Sequence, residues 1–505
     1  MQIIELQSSF PILAVMQLLP VFGLLLLRMV RNSKWIVATA IFFTSIELLL
    51  TFYLYHSYDL QQTAFQFSEK LPLIGALDYH AAVDGISVLF LLLSNFLIFI
   101  ISIYGPVRAL KPHYHFQTIV LSIQVSLIAL FVTLNLLFFV LVSVIQLILG
   151  GYLLWRWATS EEMKDVAFTR YLQFMGSGMF LLLAGTLIMG WQYAQSHQGV
   201  WSFDLIELSQ SKIAPVYQQW IFMMLFYGLA IRIPLFPMHG WLPRAAEFGT
   251  ISVAPALLLG LKTGIYGLLR FVYPLLPQAV MDWQMIVLIM AVAGIFYAAL
   301  MAILQENLRR MLAFAVISHT SIVLLGLVSL HPLAFQGGVL LAINFGLAAS
   351  TLFFMTGLIH LRTGTTLFKQ LGGLFDKIPL IGITFFVAGL AVIGMPGTPG
   401  FGAVHLLMEG AIKRFGTLLT IVATLGNVIA AGFLLWAFQR AFLSPMDEKM
   451  KSVKIAKMSA IEFIIAGALL AVILGTGFFS ELWLELIEKS LQPLNEIYGF
   501  TKAVH

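Results

Sequence analysis

Two basic residues lie in stretches of sequence that are otherwise almost entirely apolar. Arg232 precedes a Pro-x-x-Pro segment, and Lys262 lies within Leu-Leu-Leu-Gly-Leu-Lys-Thr-Gly. A charge at the bilayer centre is unfavourable unless it faces a partner or water, so such residues usually mark an ion pathway. A buried lysine can lose its proton, whereas arginine stays charged. We therefore predict that Lys262 carries a proton and that Arg232 holds an anion or shapes the local field; the alternative for both is snorkelling to an interface.

Four further residues have side chains that suit proton transfer near neutral pH. His319 lies in Ile-Ser-His-Thr-Ser, His239 follows the Pro-x-x-Pro segment, and His405 and Glu409 are one helical turn apart. We predict that they belong to the same proton pathway. Each also has a purely structural interpretation. The histidines would be packing or turn residues, and Glu409 would form an i, i+4 salt bridge with Lys413.

The remaining polar residues within apolar runs carry weaker signals. Ser143 and Gln146 share one run and are best interpreted as forming hydrogen bonds between helices. Glu47 is a modest relay candidate, and Asp84 begins Asp-Gly-Ile-Ser, which is typical of a helix N-cap. The sequence has no Walker A motif, no metal-binding His pair and no nucleophile–base arrangement. We therefore predict no catalytic site, no cofactor and no metal.

Proline interrupts two of the apolar runs with the same spacing. Pro234 and Pro237 form one break, and Pro396 and Pro399 form the other. Proline inside a membrane helix breaks it and frees backbone carbonyls. By our count the breaks fall in the seventh and twelfth spans, which run in opposite directions. This pattern favours two inverted repeats around an ion pathway. Two unrelated kinks are the alternative, because proline is frequent in membrane helices.

These residues belong to a chain whose composition requires a membrane. Of its 505 residues, 60% are hydrophobic and only 10% are charged, against about 25% in a soluble domain. A nucleic-acid binder and a secreted disulfide scaffold are excluded, and the absence of Cys excludes thiolate metal sites. The apolar runs predict an all-α polytopic membrane protein with about fourteen transmembrane helices. The predicted spans are 9–28, 35–55, 84–104, 117–135, 136–155, 171–191, 219–238, 251–272, 284–303, 311–329, 336–360, 380–414, 417–439 and 459–478.

The distribution of Lys and Arg predicts the orientation of these spans. With the N-terminus outside, nineteen of the 28 basic residues fall in inside loops and seven fall outside, which leaves Arg232 and Lys262 at membrane depth. This predicts an inner (cytoplasmic) membrane protein with both termini outside. No cleavable signal peptide is expected, because the N-terminus lacks a basic region. The longest polar segments, 56–83, 193–218 and 479–505, are too short to fold alone.

The sequence around the first break resembles a known family. Ile231-Arg-Ile-Pro-Leu-Phe-Pro-Met-His-Gly-Trp-Leu-Pro243 and Leu261-Lys-Thr-Gly-Ile-Tyr-Gly-Leu-Leu-Arg-Phe271 are similar to the antiporter-like membrane subunits of respiratory complex I, most of all chain M (subunit 4), and to Mrp-type antiporters. The similarity runs from about residue 80 to 478. It implies two inverted five-helix repeats and a central hydrophilic axis for protons. The implied divisions are 1–115 (helices 1–3), 116–275 (helices 4–8), 276–445 (helices 9–13) and 446–505 (helix 14 and tail).

The sequence departs from this family at the positions that carry its charges. Ser143 stands where the family has a fifth-span Glu, and Arg232 stands for its seventh-span Lys. Phe345 replaces an eleventh-span His, and Val404 replaces a twelfth-span Glu, whereas Lys262 is retained. The first two changes remove a charge pair whose separation would gate proton movement. The resemblance therefore implies a divergent member of the family.

Three functions are compatible with these residues. The first is a proton-translocating subunit of a complex I-like multisubunit assembly, as a specialised paralogue without the usual fifth-helix Glu. The second is the membrane subunit of an energy-coupled inorganic-carbon (CO2/bicarbonate) uptake complex, partnered with a carbonic-anhydrase-like chain. The third is a non-conducting scaffold. In each case the expected partners are other membrane and soluble subunits and lipid, and not nucleic acid.

Overall fold

A small β-sheet precedes most of the membrane helices. The computed structural model describes residues 5–7, 10–62, 64–211, 213–249, 254–446, 448–451 and 455–500. Strands β1 (Glu5–Gln7) and β2 (Phe65–Ile74) pair in parallel, and β2 pairs with β3 (Leu77–Val83) in an antiparallel hairpin. Gly75 in the hairpin turn has a φ of +61°, which glycine adopts without strain. The polar segment 56–83 therefore contains a hairpin that the all-α prediction omits.

Helices make up the rest of the described architecture. The first half contains α1 (Ile12–Met29), α2 (Ser33–Ser57), α3 (Gly85–Val107), α4 (His113–Val132), α5 (Leu136–Arg156), α6 (Lys164–Ser196), α7 (Leu205–Gln210), α8 (Pro215–Arg232), α9 (Leu242–Phe248), α10 (Ala254–Gly267), α11 (Tyr273–Leu275) and α12 (Pro277–Asp282). The second half contains α13 (Gln284–Ile303), α14 (Leu308–Val328), α15 (Pro332–Thr363), α16 (Pro379–Ile393), α17 (Pro399–Phe415), α18 (Thr417–Phe438), α19 (Glu448–Lys451), α20 (Ala460–Phe478) and α21 (Glu481–Ile497). The mostly helical membrane fold is thus confirmed.

The predicted spans differ from the observed helices where the chain is broken. Eleven helices in the described part of the chain are long and apolar enough to cross a membrane. The other three predicted spans, 219–238, 251–272 and 380–414, contain α8, α10, and α16 with α17. Proline ends α8 and separates α16 from α17, and a π-helical turn follows α10. Interruption within the span is the physical reason that these helices are short.

Two long helices form the centre of the molecule. The apolar spans of α14 and α15 are completely buried, whereas only a third of each span is buried in α1, α2 and α20. Large apolar side chains such as Leu18 and Phe42 are exposed on those outer helices, as a lipid-facing surface requires. A Cβ added at Gly337 of α15 would lie 2.3 Å from the backbone nitrogen of Leu407. This glycine therefore lets α17 approach the central helix closely.

Three local features occur twice, about five predicted spans apart. Asn135 caps the start of α5, where its side chain accepts from a backbone N–H, and Asn307 caps the start of α14 in the same way. The proline breaks follow α8 and α16. The π-helical turns Leu268–Val272 and Gln439–Leu443 follow α10 and α18. A paired cap, break and π-turn is the pattern expected of two structural repeats.

A buried histidine joins the sheet to the loop before α7. The Nδ1 of His80 contacts the Asp204 carboxylate closely, and its Nε2 lies 2.8 Å from the Glu5 carboxylate. Lys70 lies 3.3 Å from Glu207 at the edge of the same cluster. Burial alone would lower the pKa of His80, but the hydrogen bonds and charges of Asp204 and Glu5 outweigh it, and the pKa lies above its ordinary value. The cluster therefore favours the protonated form of His80 in the folded chain.

The stability of the hairpin is expected to fall as the pH rises. A raised pKa means that the folded state binds the proton more tightly than the unfolded state. The stabilisation is therefore complete below the ordinary histidine pKa of about 6.5 and is lost as the pH rises through the raised value. Protection of the β2–β3 amides from hydrogen exchange should decrease by about tenfold for each unit by which the pKa of His80 is raised. His80→Gln is the control, and protection that titrates equally in that variant would contradict the assignment.

Candidate functional site

Arg232 is the last residue of α8, directly before the first proline break. It is 5% exposed, and its Nε donates a hydrogen bond of 2.9 Å to the carbonyl of Gly260 in α10. Nearby, the indole N–H of Trp241 donates to the carbonyl of Ile231, which the broken helix leaves free. The Nη1 of Arg232 is buried without a hydrogen-bond partner, and no carboxylate in the described ranges lies within 4 Å of the guanidinium. The break thus positions an uncompensated cation between α8 and α10.

A cavity of about 30 Å³ lies beside this guanidinium and is lined by residues of α4, α5, α6, α8 and α10. Its walls include Ser143 and Gln146 of α5 and Tyr171 and Met175 of α6. The Ser143 hydroxyl and both polar atoms of the Gln146 amide are buried without hydrogen-bond partners among the residues that the structure describes. The structure therefore brings together Ser143 and Arg232, the two positions at which the family's charge pair is replaced. The interhelical hydrogen bonds predicted for Ser143 and Gln146 do not form with described residues.

Lys262 faces the other way from α10, toward the central helices. It is 2% exposed and forms no ion pair with any described carboxylate. Its Nζ lies 4.8 Å from the centroid of the Phe345 ring in α15. A Cβ on the neighbouring Gly346 would lie 3.0 Å from the lysine Cε, so the missing side chain makes room for the ammonium group. The lysine is therefore placed against an aromatic face, a favourable cation–π arrangement.

His319 of α14 lies against the same aromatic ring. The imidazole stacks on Phe345 at a centroid distance of 5.0 Å and is 1% exposed. Its Nδ1 lies 3.0 Å from the carbonyl of Ala315, and because a carbonyl only accepts, this nitrogen carries the proton. Nε2 is buried and makes no hydrogen bond of standard geometry within the described ranges, and the imidazole lies close to the side chain of Asn427 and the backbone of Val392. This tautomer leaves Nε2 as a proton acceptor, which is the property that a relay needs.

His239 lies in the break itself, between α8 and α9. It is buried, and its ring packs against Phe236 at 5.7 Å and Tyr297 at 4.9 Å between centroids. Its Nδ1 has no hydrogen-bond partner among the described residues. The contacts of this imidazole are aromatic, and none joins it to Lys262. His239 therefore lies apart from the stack of Lys262, Phe345 and His319.

His405 and Glu409 lie on the exposed side of α17, away from that stack. Glu409 and Lys413 form an ion pair of 2.8 Å with side chains 44% and 51% exposed. This confirms the i, i+4 salt bridge that was the alternative interpretation of Glu409. The ring of His405 is exposed and stacks on Phe401. A place for these two residues in the pathway stays a prediction.

Several buried charges have partners that local sequence does not reveal. The Asp84 carboxylate accepts from the backbone N–H of Ser87, which confirms the predicted N-cap, and it also lies 2.7 Å from Arg270. Arg362 and Glu462 form a second buried pair at 2.7 Å. Glu47, the modest relay candidate, is fully buried, and both of its oxygens lack partners in the described part of the chain. These ion-pair partners are far apart in sequence, so sequence motifs could not predict them.

Interrupted membrane helices with buried charges between them are typical of membrane proteins that move ions. A sequence family described as NADH:quinone oxidoreductase/Mrp antiporter, TM, matches residues 133–430, more than half of the chain. The chain belongs to this family, and the resemblance seen in its motifs is confirmed.

Proteins similar to this chain over most of its length carry subunit names of the same kind. It is 29% identical to F(420)H(2) dehydrogenase subunit M of Methanosarcina mazei over 473 residues, which cover 89% of this chain and 94% of the relative. It is 27% identical to NADH-quinone oxidoreductase subunit M of Escherichia coli K12 over 468 residues, which cover 90% of each.

Solved structures agree with this assignment. A chain of respiratory complex I from Thermus thermophilus superposes with a TM-score of 0.83 at 26% identity, covering 97% of this chain and 100% of that one. A chain of the Mrp complex from Dietzia sp. DQ12-45-1b superposes with a TM-score of 0.83 at 18% identity, covering 96% and 98%, and shows the shared fold. The chain is therefore an antiporter-like membrane subunit of the complex I and Mrp type.

Proposed function

We propose that this chain is a proton-translocating membrane subunit of a complex I-like multisubunit assembly. The observation that carries the proposal is Lys262, which is buried without a carboxylate partner among the described residues and is separated from His319 by one aromatic ring. A buried lysine exchanges a proton readily when its surroundings change, and His319 offers its Nε2, which makes no hydrogen bond of standard geometry with a described residue, to receive one. The proposed pathway also includes His239, with His405 and Glu409 at its outer end.

The proposed organisation consists of two inverted five-helix repeats, residues 116–275 and 276–445, flanked by 1–115 and 446–505. The duplicated asparagine caps, proline breaks and π-helical turns support it. In this arrangement Pro234 and Pro237 mark the break of one repeat, and Pro396 and Pro399 mark the break of the other. Paired broken helices are typical of membrane proteins that move ions between two halves.

We further propose that the chain is a specialised paralogue. Arg232 keeps its charge, so it cannot hand on a proton as the family's lysine would. Ser143 supplies no carboxylate, so the inner half of the pathway works without the family's charge pair. Arg232 then sets the electrostatic potential near Lys262. Its guanidinium donates a hydrogen bond to the carbonyl of Gly260, which lies two residues before Lys262 in α10. The bias of basic residues supports an inner-membrane location with both termini outside.

Replacing Phe345 by histidine tests this proposal. Proton uptake by proteoliposomes that contain the assembled complex should increase several-fold, because an imidazole would bridge Lys262 and His319 where a phenyl ring carries no proton. A pH-sensitive dye measures the uptake, and a protonophore should collapse it. Phe345→Leu is the matched control, since it removes the ring without adding a relay. Equal uptake by the two variants, or no uptake by the wild-type complex, would reject the proposal.

The membrane subunit of an inorganic-carbon uptake complex is the second candidate function. It is favoured by the loss of the charge pair at Ser143 and Arg232, since a standard pump needs that pair and a specialised complex does not. Purification in mild detergent distinguishes the two candidates. A carbonic-anhydrase-like chain that co-purifies favours the second, whereas quinone oxidoreductase subunits favour the first.

A further inference from the structure

We propose that the cavity beside Arg232 binds a small monovalent oxyanion. Three residues that line this cavity carry four buried polar atoms without hydrogen-bond partners in the described part of the chain: the Nη1 of Arg232, the hydroxyl of Ser143, and the nitrogen and oxygen of the Gln146 amide. Buried polar atoms are nearly always paired in native proteins. Their convergence on one space therefore indicates a ligand that all of them contact.

The charge of Arg232 determines the charge of the ligand. Arg232 as a residue is only 5% exposed, and no described carboxylate lies within 4 Å of its guanidinium. Two other buried arginines of the same chain do have carboxylate partners, Arg270 with Asp84 and Arg362 with Glu462, both at 2.7 Å. A buried cation is stable only with a counter-charge or its full set of hydrogen bonds. One bound monovalent anion would neutralise Arg232.

A third buried arginine differs from Arg232 in which nitrogens are bonded. Arg309 also lacks a carboxylate within 4 Å in the described chain, and its Nε has no partner there, but its two terminal nitrogens donate at 2.6 Å to the Thr159 hydroxyl and to the Gly249 carbonyl. At Arg232 only Nε has an assigned partner, the carbonyl of Gly260. The edge of the guanidinium that carries Nη1 therefore remains available to a ligand.

The donors and the walls of the cavity define the class of anion. A guanidinium edge, a hydroxyl and an amide N–H form a donor set that matches the oxygens of a planar oxyanion. The Gln146 carbonyl oxygen, also unpartnered, is an acceptor and favours an anion that carries its own hydroxyl, as bicarbonate does. Tyr171 is not free to contribute, because its hydroxyl donates to the carbonyl of Leu147. Met175, Met179 and Trp241 close the space and exclude large ligands.

The anion would occupy the place of the carboxylate that the family carries at position 143. A glutamate in place of Ser143 would extend into the same cavity and pair with Arg232. The anion and a glutamate at 143 are therefore alternative counter-charges for one guanidinium. This relationship makes Ser143→Glu the most informative variant.

Thermal unfolding of the full-length chain in its assembled complex, in nanodiscs, tests the proposal. Wild-type samples are compared in gluconate, which is too large for the cavity, and in bicarbonate, formate, nitrate or chloride, all at about 100 mM and equal ionic strength. Binding to the folded state raises the transition temperature by mass action, and we expect an increase of about 2–4 °C in the oxyanions and less in chloride. An equal or larger increase in chloride would reject the oxyanion class.

Three variants connect the effect to the cavity. Ser143→Glu should unfold at a higher temperature than the wild type in gluconate and should no longer respond to oxyanions. Arg232→Gln should lose the response, whereas Arg440→Gln, which removes an exposed arginine, should keep it. Equilibrium dialysis with radiolabelled formate gives a second readout, with retention expected in the wild type and only background in Arg232→Gln. A wild type that does not respond, or an undiminished response in Arg232→Gln, would overturn the proposal and leave the proton pathway through Lys262 untouched.

Discussion

Proton uptake by proteoliposomes that contain the assembled complex should fall by about tenfold or more when Lys262 is replaced by alanine, because a positioned proton-transfer group typically contributes at least that much. The lysine is buried in the centre of the chain, next to the ring that separates it from His319. Alanine leaves a gap of apolar character in its place. A proton entering this gap would have no basic group to bind and would face the full desolvation penalty.

The control for this experiment is Lys369→Ala. Lys369 is 78% exposed at the side chain and pairs with Glu306 on the surface, so its loss should leave proton uptake unchanged. Lys262→Arg separates charge from proton transfer, since arginine restores the positive charge but does not release a proton. If uptake survives Lys262→Ala, protons cross the complex by a route that does not need Lys262. That result would support the interpretation of this chain as a non-conducting scaffold. Uptake restored by Lys262→Arg would show that the position acts through its charge alone.

The spans that sequence predicts well are those that local composition alone determines. An unbroken apolar run such as α5 or α18 must be a membrane helix, because every backbone polar group in lipid needs an internal partner. The broken spans were recognised from their prolines, but their helices end earlier than the apolar runs do. Where α8 ends at Arg232, the indole N–H of Trp241 donates to the freed carbonyl of Ile231, and a hydropathy pattern cannot represent such a side-chain partner.

Segments counted as polar linkers proved to be structured. Segment 56–83 forms the hairpin of β2 and β3, and 479–505 contains α21, an amphipathic helix that packs on α3 and α15. Neither is apolar enough to register as a span. Their stability comes from contacts with the bundle, such as that of His80 with Asp204, which is 124 residues away. Pairings of this kind leave no local signal in a single sequence.

The site was predicted only in part for the same reason. The family resemblance implied that Ser143 and Arg232 lie opposite each other, at the positions of a charge pair. In the structure both residues line one cavity, which agrees with that expectation. The stack of Lys262, Phe345 and His319 joins α10, α15 and α14, which no spacing rule relates. That the Gln146 amide has no hydrogen-bond partner in the described ranges could be recognised only from the three-dimensional structure.

Asp84→Asn should lower the free energy of unfolding by about 3–5 kcal/mol, the range found when one partner of a buried ion pair is removed. Asp84 holds Arg270 at 2.7 Å and also caps α3. Arg270 in turn donates to the hydroxyls of Tyr266 and Ser87, each at 3.0 Å. Without the carboxylate the guanidinium stays buried and unneutralised. Steric trapping in bicelles measures the unfolding free energy of such a chain.

The double variant Asp84→Asn/Arg270→Met distinguishes loss of the pair from burial of a lone charge. Methionine fills a similar volume without a charge, so the double variant should regain much of the stability that Asp84→Asn loses. Glu306→Gln is the control, because its partner Lys369 is exposed and surface ion pairs contribute little. If the double variant were as unstable as the single one, the N-cap and the hydrogen bonds around Arg270 would account for the effect. The buried pair would then join the end of α10 to the start of α3 through shape and hydrogen bonding, not through charge.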